Sequence, residues 1–115
     1  MAKYEKTIKG NFDEILKKIE TQVITGNITA RLKDKSDFII NNTKCSVRVY
    51  EKSSWVGSHK VSLSFTLIQS YDSDIHISAI TSGGSSLLFF KRNAYNEKLF
   101  LNKIKKILEW WTNAI

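Results

Sequence analysis

Proline is absent from the 115 residues, and cysteine occurs once, at Cys45. A lone cysteine excludes an internal disulfide, and no Pro-rich or low-complexity stretch marks a linker between domains. Met1 leads directly into Ala2-Lys3-Tyr4-Glu5 without the apolar core of a signal peptide, so a cytoplasmic protein is expected. Long hydrophobic runs are missing as well: the longest, Leu87-Leu88-Phe89-Phe90, is four residues, against the ~20 needed to span a bilayer. A soluble chain follows. Histidine is scarce, and His59, His76 and Cys45 are the only soft metal ligands. No pair among them has a short ligand spacing, so neither a metal nor a cofactor is expected.

Lysine and arginine are missing from residues 61 to 90, although the chain carries 18 basic against 11 acidic side chains, a net charge of +7. Positive charge belongs to the ends and the first half, with six basic residues between 91 and 115. An apolar content of 42%, with three Trp, four Tyr and six Phe, is enough for one core, and a single domain over residues 1–115 is the expectation.

Periodicity organises the chain. Lys3 to Lys9 reads as a strand with Tyr4 and Ile8 on one face, and Gly10 ends it. Asn11 can cap a helix from Asn11 to Val23, in which Phe12, Ile15, Leu16, Ile19 and Val23 form one stripe. The period then falls to 2. Ile28, Ala30 and Leu32 alternate with polar residues, a turn is expected at Asp34-Lys35-Ser36-Asp37, and Phe38 and Ile40 resume the apolar face. Asn41-Asn42-Thr43 turns the chain again.

Cys45, Val47 and Val49 next form an apolar face against Ser46, Arg48 and Tyr50. Val61, Leu63, Phe65 and Leu67 alternate with Ser62, Ser64 and Thr66, and Ile75, Ile77 and Ala79 alternate with His76 and Ser78. Leu87 to Lys91 is a candidate last strand. A helix near Asn96 to Thr112 presents Phe100, Ile104, Ile107 and Trp111 on one stripe. Two apolar helical stripes and one apolar sheet face imply an α+β two-layer sandwich. Its order is strand, helix, four or five antiparallel strands, helix, with both helices on one face of a curved antiparallel sheet. The inward set then includes Val47, Leu63, Phe65, Ile77, Ile104 and Ile107.

This order resembles the TATA-box-binding-protein-like and helix-grip folds, in which a curved sheet wraps a terminal helix. The segments Cys45-Ser46-Val47-Arg48-Val49-Tyr50-Glu51, Val61-Ser62-Leu63-Ser64, Ala79-Ile80-Thr81-Ser82-Gly83-Gly84-Ser85 and Phe89-Phe90-Lys91 together resemble a small uncharacterised family of Gram-positive bacteria, a domain of unknown function. That resemblance implies no activity and no functional residues.

Chemistry-bearing patterns are few. Ser82, Ser85 and Ser86 flank Gly83-Gly84, but the Gly-x-Ser-x-Gly of a nucleophile elbow is absent, as is the Lys-Ser/Thr of a phosphate loop. A bend with positive φ at Gly83 or Gly84 is the expected use of that segment. Cys45 reads as a small core residue and His76 as a solvated outer one. Trp110 and Trp111 diverge by about 100° on a helix, so one of them leaves the core face.

The pattern therefore points to a non-enzymatic module that binds a small apolar ligand or serves as an interaction domain for a protein partner. Phe65, Leu67, Ile77, Phe100, Ile104, Trp111, Ser82, Gly83, Gly84 and Ser85 are the candidate ligand residues. The alternative is nucleic-acid or anionic-surface binding through Arg48, Lys103, Lys105 and Lys106, which is less favoured because the strands from Val61 to Ile80 offer no outward Lys or Arg.

Overall fold

A computed structural model describes residues 2–25, 30–53, 60–83 and 105–106. Five strands and a helix follow one another as β1 (Ala2–Ile8), α1 (Phe12–Thr25), β2 (Ala30–Ile40), β3 (Thr43–Ser53), β4 (Lys60–Ser70) and β5 (Ile75–Gly83). The strands form one antiparallel sheet in the order β1-β5-β4-β3-β2. Strands β2 to β5 make a meander, and β1 closes against β5. The β1 to β2 connection must therefore cross the whole sheet, and α1 makes that crossing. Fourteen residues at 1.5 Å each give ~21 Å, close to the ~19 Å spanned by five strands.

The start of α1 is built as its sequence implies. Gly10 takes φ 147°, a value that a Cβ would resist, and turns the chain from β1. Asn11 then accepts the Glu14 amide on Oδ1 at 3.0 Å, and its own carbonyl accepts the Ile15 amide at 3.0 Å. Phe12, Ile15, Leu16, Ile19 and Val23 are all buried, as their spacing predicts. They pack on Ile8, Tyr50, Val61, Leu63, Phe65, Leu67, Ile75, Ile77 and Ala79 of the sheet. Tyr50 and Phe65 stack within it, with ring centroids 5.8 Å apart.

Strands β4 and β5 follow the expected alternation, but β3 is inverted. Arg48 pairs with Phe65 and Tyr50 with Leu63, and residues directly opposite in a ladder share a face. Arg48 and Tyr50 therefore lie on the α1 face and are buried, while Val47 and Val49 sit half-buried on the opposite face beside Thr66 and Ser64. Cys45 shares that opposite face with its partners Phe38 and Ile68. The expected inward position of Val47 is thus corrected. Its apolar alternation is real, but the opposite face of this sheet is itself half-buried at its centre, and a Val row satisfies either side.

The expected turn at Asp34-Lys35-Ser36-Asp37 is also corrected. Strand β2 runs through it, with Leu32 paired to Tyr50 and Asp34 to Val49, so Lys33 is an inserted residue. A bulge of this kind reverses the phase of everything beyond it. Leu32 lies on the α1 face, but after the bulge Lys35, Asp37 and Ile39 take that face, and Phe38 and Ile40 turn to the other.

The Asn41-Asn42 turn forms as expected, with φ 50° and 60°. The opening of the Gly-Gly segment is strand rather than turn. Thr81 is fully buried, and Gly83 ends β5 opposite Val61. The candidate strand at Leu87 to Lys91, and Gly84, Ser85 and Ser86, lie outside the described residues. So does the helix expected near Asn96 to Thr112, apart from the helical residues Lys105 and Lys106; the structure describes one complete helix, not two. No helix among the described residues is long and apolar enough to cross a membrane.

Candidate functional site

The edge strand β2 projects past the cover of α1. Every residue of it after Ala30 is exposed, and a groove opens between the first turns of α1 and the C-terminal half of β2. Its volume is about 550 Å³, and its lining includes Phe12, Leu16, Phe38, Ile39, Cys45 and Arg48. Ile39, on the α1 face of β2, is 65% exposed and gives the groove an apolar wall. A smaller groove of about 300 Å³ lies along the same side of α1, between Thr21, Ile24, Leu32 and Tyr50.

A charge cluster joins helix and edge strand. The Arg48 side chain, only 5% exposed, pairs through its terminal nitrogens with both oxygens of Asp37, at 2.9 and 3.3 Å. It also donates to the Val47 carbonyl at 3.0 Å. On the helix side, Glu20 Oε1 lies 3.5 Å from Arg48 Nε. That approach is electrostatic only, because the buried Nε has no hydrogen-bond acceptor among the described residues. Ser46 completes the cluster by donating its hydroxyl to Asp37 Oδ1 at 2.6 Å. A buried guanidinium is tolerable only when paired, and here α1 and β2 each bring one carboxylate to it.

The electrostatics follow from this arrangement. The hydrogen bond from Ser46, then that from Arg48, holds the Asp37 carboxyl below its usual 3.8. Burial, reinforced by the Glu20 charge, pushes the Tyr50 phenol from 10.0 up to about 12. Burial and the Asp37 charge likewise push the Cys45 thiol up, which makes it a poorer nucleophile. At the groove's outer end the Lys44 ammonium pairs with both Asp13 oxygens at 3.1 and 3.2 Å and stands 5.3 Å from the centre of the Phe12 ring.

The candidate residues are thus dispersed. Phe65, Leu67 and Ile77 are fully buried beneath α1, and the grooves described above do not reach them. Ser82 lies on the opposite face, 2.8 Å from the Ser62 hydroxyl. Gly83 is in the ladder. Gly84, Ser85, Phe100, Lys103, Ile104, Ile107 and Trp111 lie outside the described residues. Arg48, expected on an outer face where it could reach phosphate, is instead turned inward and neutralised. Lys105 and Lys106 are exposed, and Lys105 Nζ stands 5.9 Å from the centre of the Tyr4 ring. His76 lies on the face opposite α1, as expected, 3.1 Å from the Thr7 hydroxyl.

Asp37, Glu20 and Ser46 were not singled out by sequence. The usable signal was an arginine followed two residues later by tyrosine in a strand, which fits a buried polar position at a sheet margin. Among the described residues, no three His, Cys, Asp or Glu side chains gather as a metal site.

No curated protein matches the chain. A family of unknown function (DUF6054) matches residues 1–112, nearly its full length, in keeping with the uncharacterised domain that the sequence resembles. The chain belongs to that family.

Proposed function

We propose that this chain is a non-enzymatic binding module, and that its ligand site is the groove between α1 and β2. The single observation that carries this is the pairing of an exposed apolar residue on the α1 face, Ile39, with a buried charge cluster in a cleft of about 550 Å³. That size falls within the roughly 300–1,000 Å³ of small-molecule sites, which combine apolar lining with a few fixed polar groups. A small, mainly apolar molecule would lay its body on Phe12, Leu16 and Ile39 and direct a polar end toward Ser46 and Arg48.

Binding rather than catalysis is favoured by how the groove's charges are spent. Asp37 is held as a weakly basic carboxylate by two donors, and the Cys45 thiol is disfavoured as a thiolate. Neither is poised to move a proton or attack a carbonyl near neutral pH. A terminal helix on the α1 face belongs to the same reading, supported by the approach of Lys105 to Tyr4. So does a cytoplasmic setting, supported by a single unpaired cysteine.

Titration with an anilinonaphthalene sulfonate dye tests the site. Saturable fluorescence enhancement is expected, reduced at least fivefold in apparent affinity by Ile39→Ser with the melting curve retained. Enhancement that does not saturate, or that Ile39→Ser leaves unchanged, overturns the assignment of the groove.

A further inference from the structure

We infer that the free edge of β2 pairs with β2 of a second copy of this chain, antiparallel, about a two-fold axis at Ser36. The inference stands apart from the ligand groove, resting on backbone geometry and on the order of charges along the edge. Among the described residues β2 pairs with β3 alone. It presents Leu32, Phe38, Ile39 and Ile40 at 43, 44, 65 and 60% exposure, half of the exposed large apolar side chains. A long, apolar edge with no second partner among the described strands is a template for another strand.

The hairpin turn decides which backbone groups are free. Asn41 and Asn42, both with positive φ, make a two-residue type I′ loop. Its flanking residues Ile40 and Thr43, directly opposite, then exchange both backbone hydrogen bonds, and this alternates along the ladder. Phe38 and Ser36 therefore bond inward to β3. Ile39, Asp37 and Lys35 direct their N–H and C=O groups to the open edge.

The register follows from charge. With the axis at Ser36, each Lys35 lies opposite Asp37 of the other copy, so two ion pairs and two fully bonded residue pairs form together. Sliding the strands by one two-residue step sets either Lys35 against Lys35 or Asp37 against Asp37, which is unfavourable in a directly opposed pair. The Lys33 bulge bends each strand beyond Asp34 and confines the regular pairing to Asp34 through Phe38. The result is a ten-stranded sheet continuous across two copies.

On the axis, the two Ser36 residues form a non-hydrogen-bonded pair with Cα atoms about 4.5 Å apart, within the roughly 4.4–6.8 Å span of a disulfide. Ser36→Cys is therefore expected to give a covalent dimer under mild oxidation, while the wild type, whose Cys45 is buried, and Asp34→Cys do not. Sedimentation equilibrium of the unmodified chain should show a reversible dimer. Lys35→Glu, which sets carboxylates against Asp37 in both pairs, should weaken it at least tenfold with an unchanged circular dichroism spectrum.

A dimer that neither substitution affects uses another surface and overturns the inference. A chain that stays monomeric up to millimolar concentration also overturns it. Hydrogen exchange of the Lys35 and Asp37 amides in that monomer would then distinguish an edge covered by residues 84–104 of the same chain from one left open.

Discussion

Removing Asp37 should cost more stability than removing Arg48, although each change breaks the same ion pair. The asymmetry comes from where the orphaned charge is left. The Arg48 side chain is 5% exposed, whereas those of Asp37 and Glu20 are 49% and 36% exposed. Asp37→Ala strands a guanidinium under α1 with, among the described residues, the Val47 carbonyl and the geometrically poor approach of Glu20 to offset it. Charge centres ~4 Å apart at an effective dielectric of about 20 interact by about 4 kcal/mol, and the half-exposed carboxylate reduces the usable part to about 3 kcal/mol. Arg48→Met keeps the stem's packing and leaves two carboxylates that water can reach, so its cost should stay near 1 kcal/mol. Urea unfolding followed by circular dichroism measures both. The double variant should be more stable than Asp37→Ala alone, because the stranded charge has gone. If Arg48→Met proves as costly as Asp37→Ala, or the double variant is the least stable of the three, the guanidinium is not held as a desolvated charge and the account of the cluster fails.

Two further outcomes follow from the core and from titration. Leu63, fully buried between α1 and the sheet, should lose about 2 to 5 kcal/mol on Leu63→Ala through transfer and cavity terms; a urea-midpoint shift equivalent to less than 1 kcal/mol would remove it from the core. The two shifted groups set opposite limits on pH stability. Asp37, with its folded value depressed, contributes stability that is present above the ordinary aspartate range and lost as pH falls through its lowered value. Tyr50, with its folded value raised from 10.0 to about 12, leaves stability intact below pH 10 and lowers it by up to roughly 2 to 3 kcal/mol as pH climbs between the two values. Unfolding curves of wild type and Tyr50→Phe across that alkaline window should diverge, and parallel curves would show that the phenol ionises without hindrance.

The elements with one buried and one polar face were legible. In α1, Phe12 through Val23 keep a single stripe because the residues between them are mostly charged and exposed, and in β4 the serines and threonine between Val61 and Leu67 leave no doubt about which row is inward. The failures share a cause. In β3 the row Cys45-Val47-Val49 looks more apolar than Ser46-Arg48-Tyr50, yet a buried tyrosine ring and a neutralised arginine serve the core margin, and alternation alone cannot report that Asp37 and Glu20 will arrive to pair the charge. In β2 the polar run from Lys33 to Asp37 mimics a turn because an exposed edge strand needs no apolar row, and one inserted residue hides the phase change from any fixed-period reading. The cluster was invisible for the same reason: its members come from three elements, and only the pairing of Asp37 with Ser46 puts them together.

The crossing of the sheet by α1 fixes the order in which the chain can complete itself. Strand β1 is made first, but its only partner among the described strands is β5, and Ala2 must wait for Thr81. At cellular synthesis rates of about 5–20 residues per second, the 79 intervening steps take roughly 4 to 16 seconds. Throughout that interval α1 can form but has no sheet to cover, and the meander from β2 to β5 must assemble beside a leading strand that cannot yet pair. Closure of the sheet is therefore a late, non-local event of the kind that slows folding, and a chain released before β5 emerges leaves both β1 and the apolar stripe of α1 without the surface that they are shaped to meet.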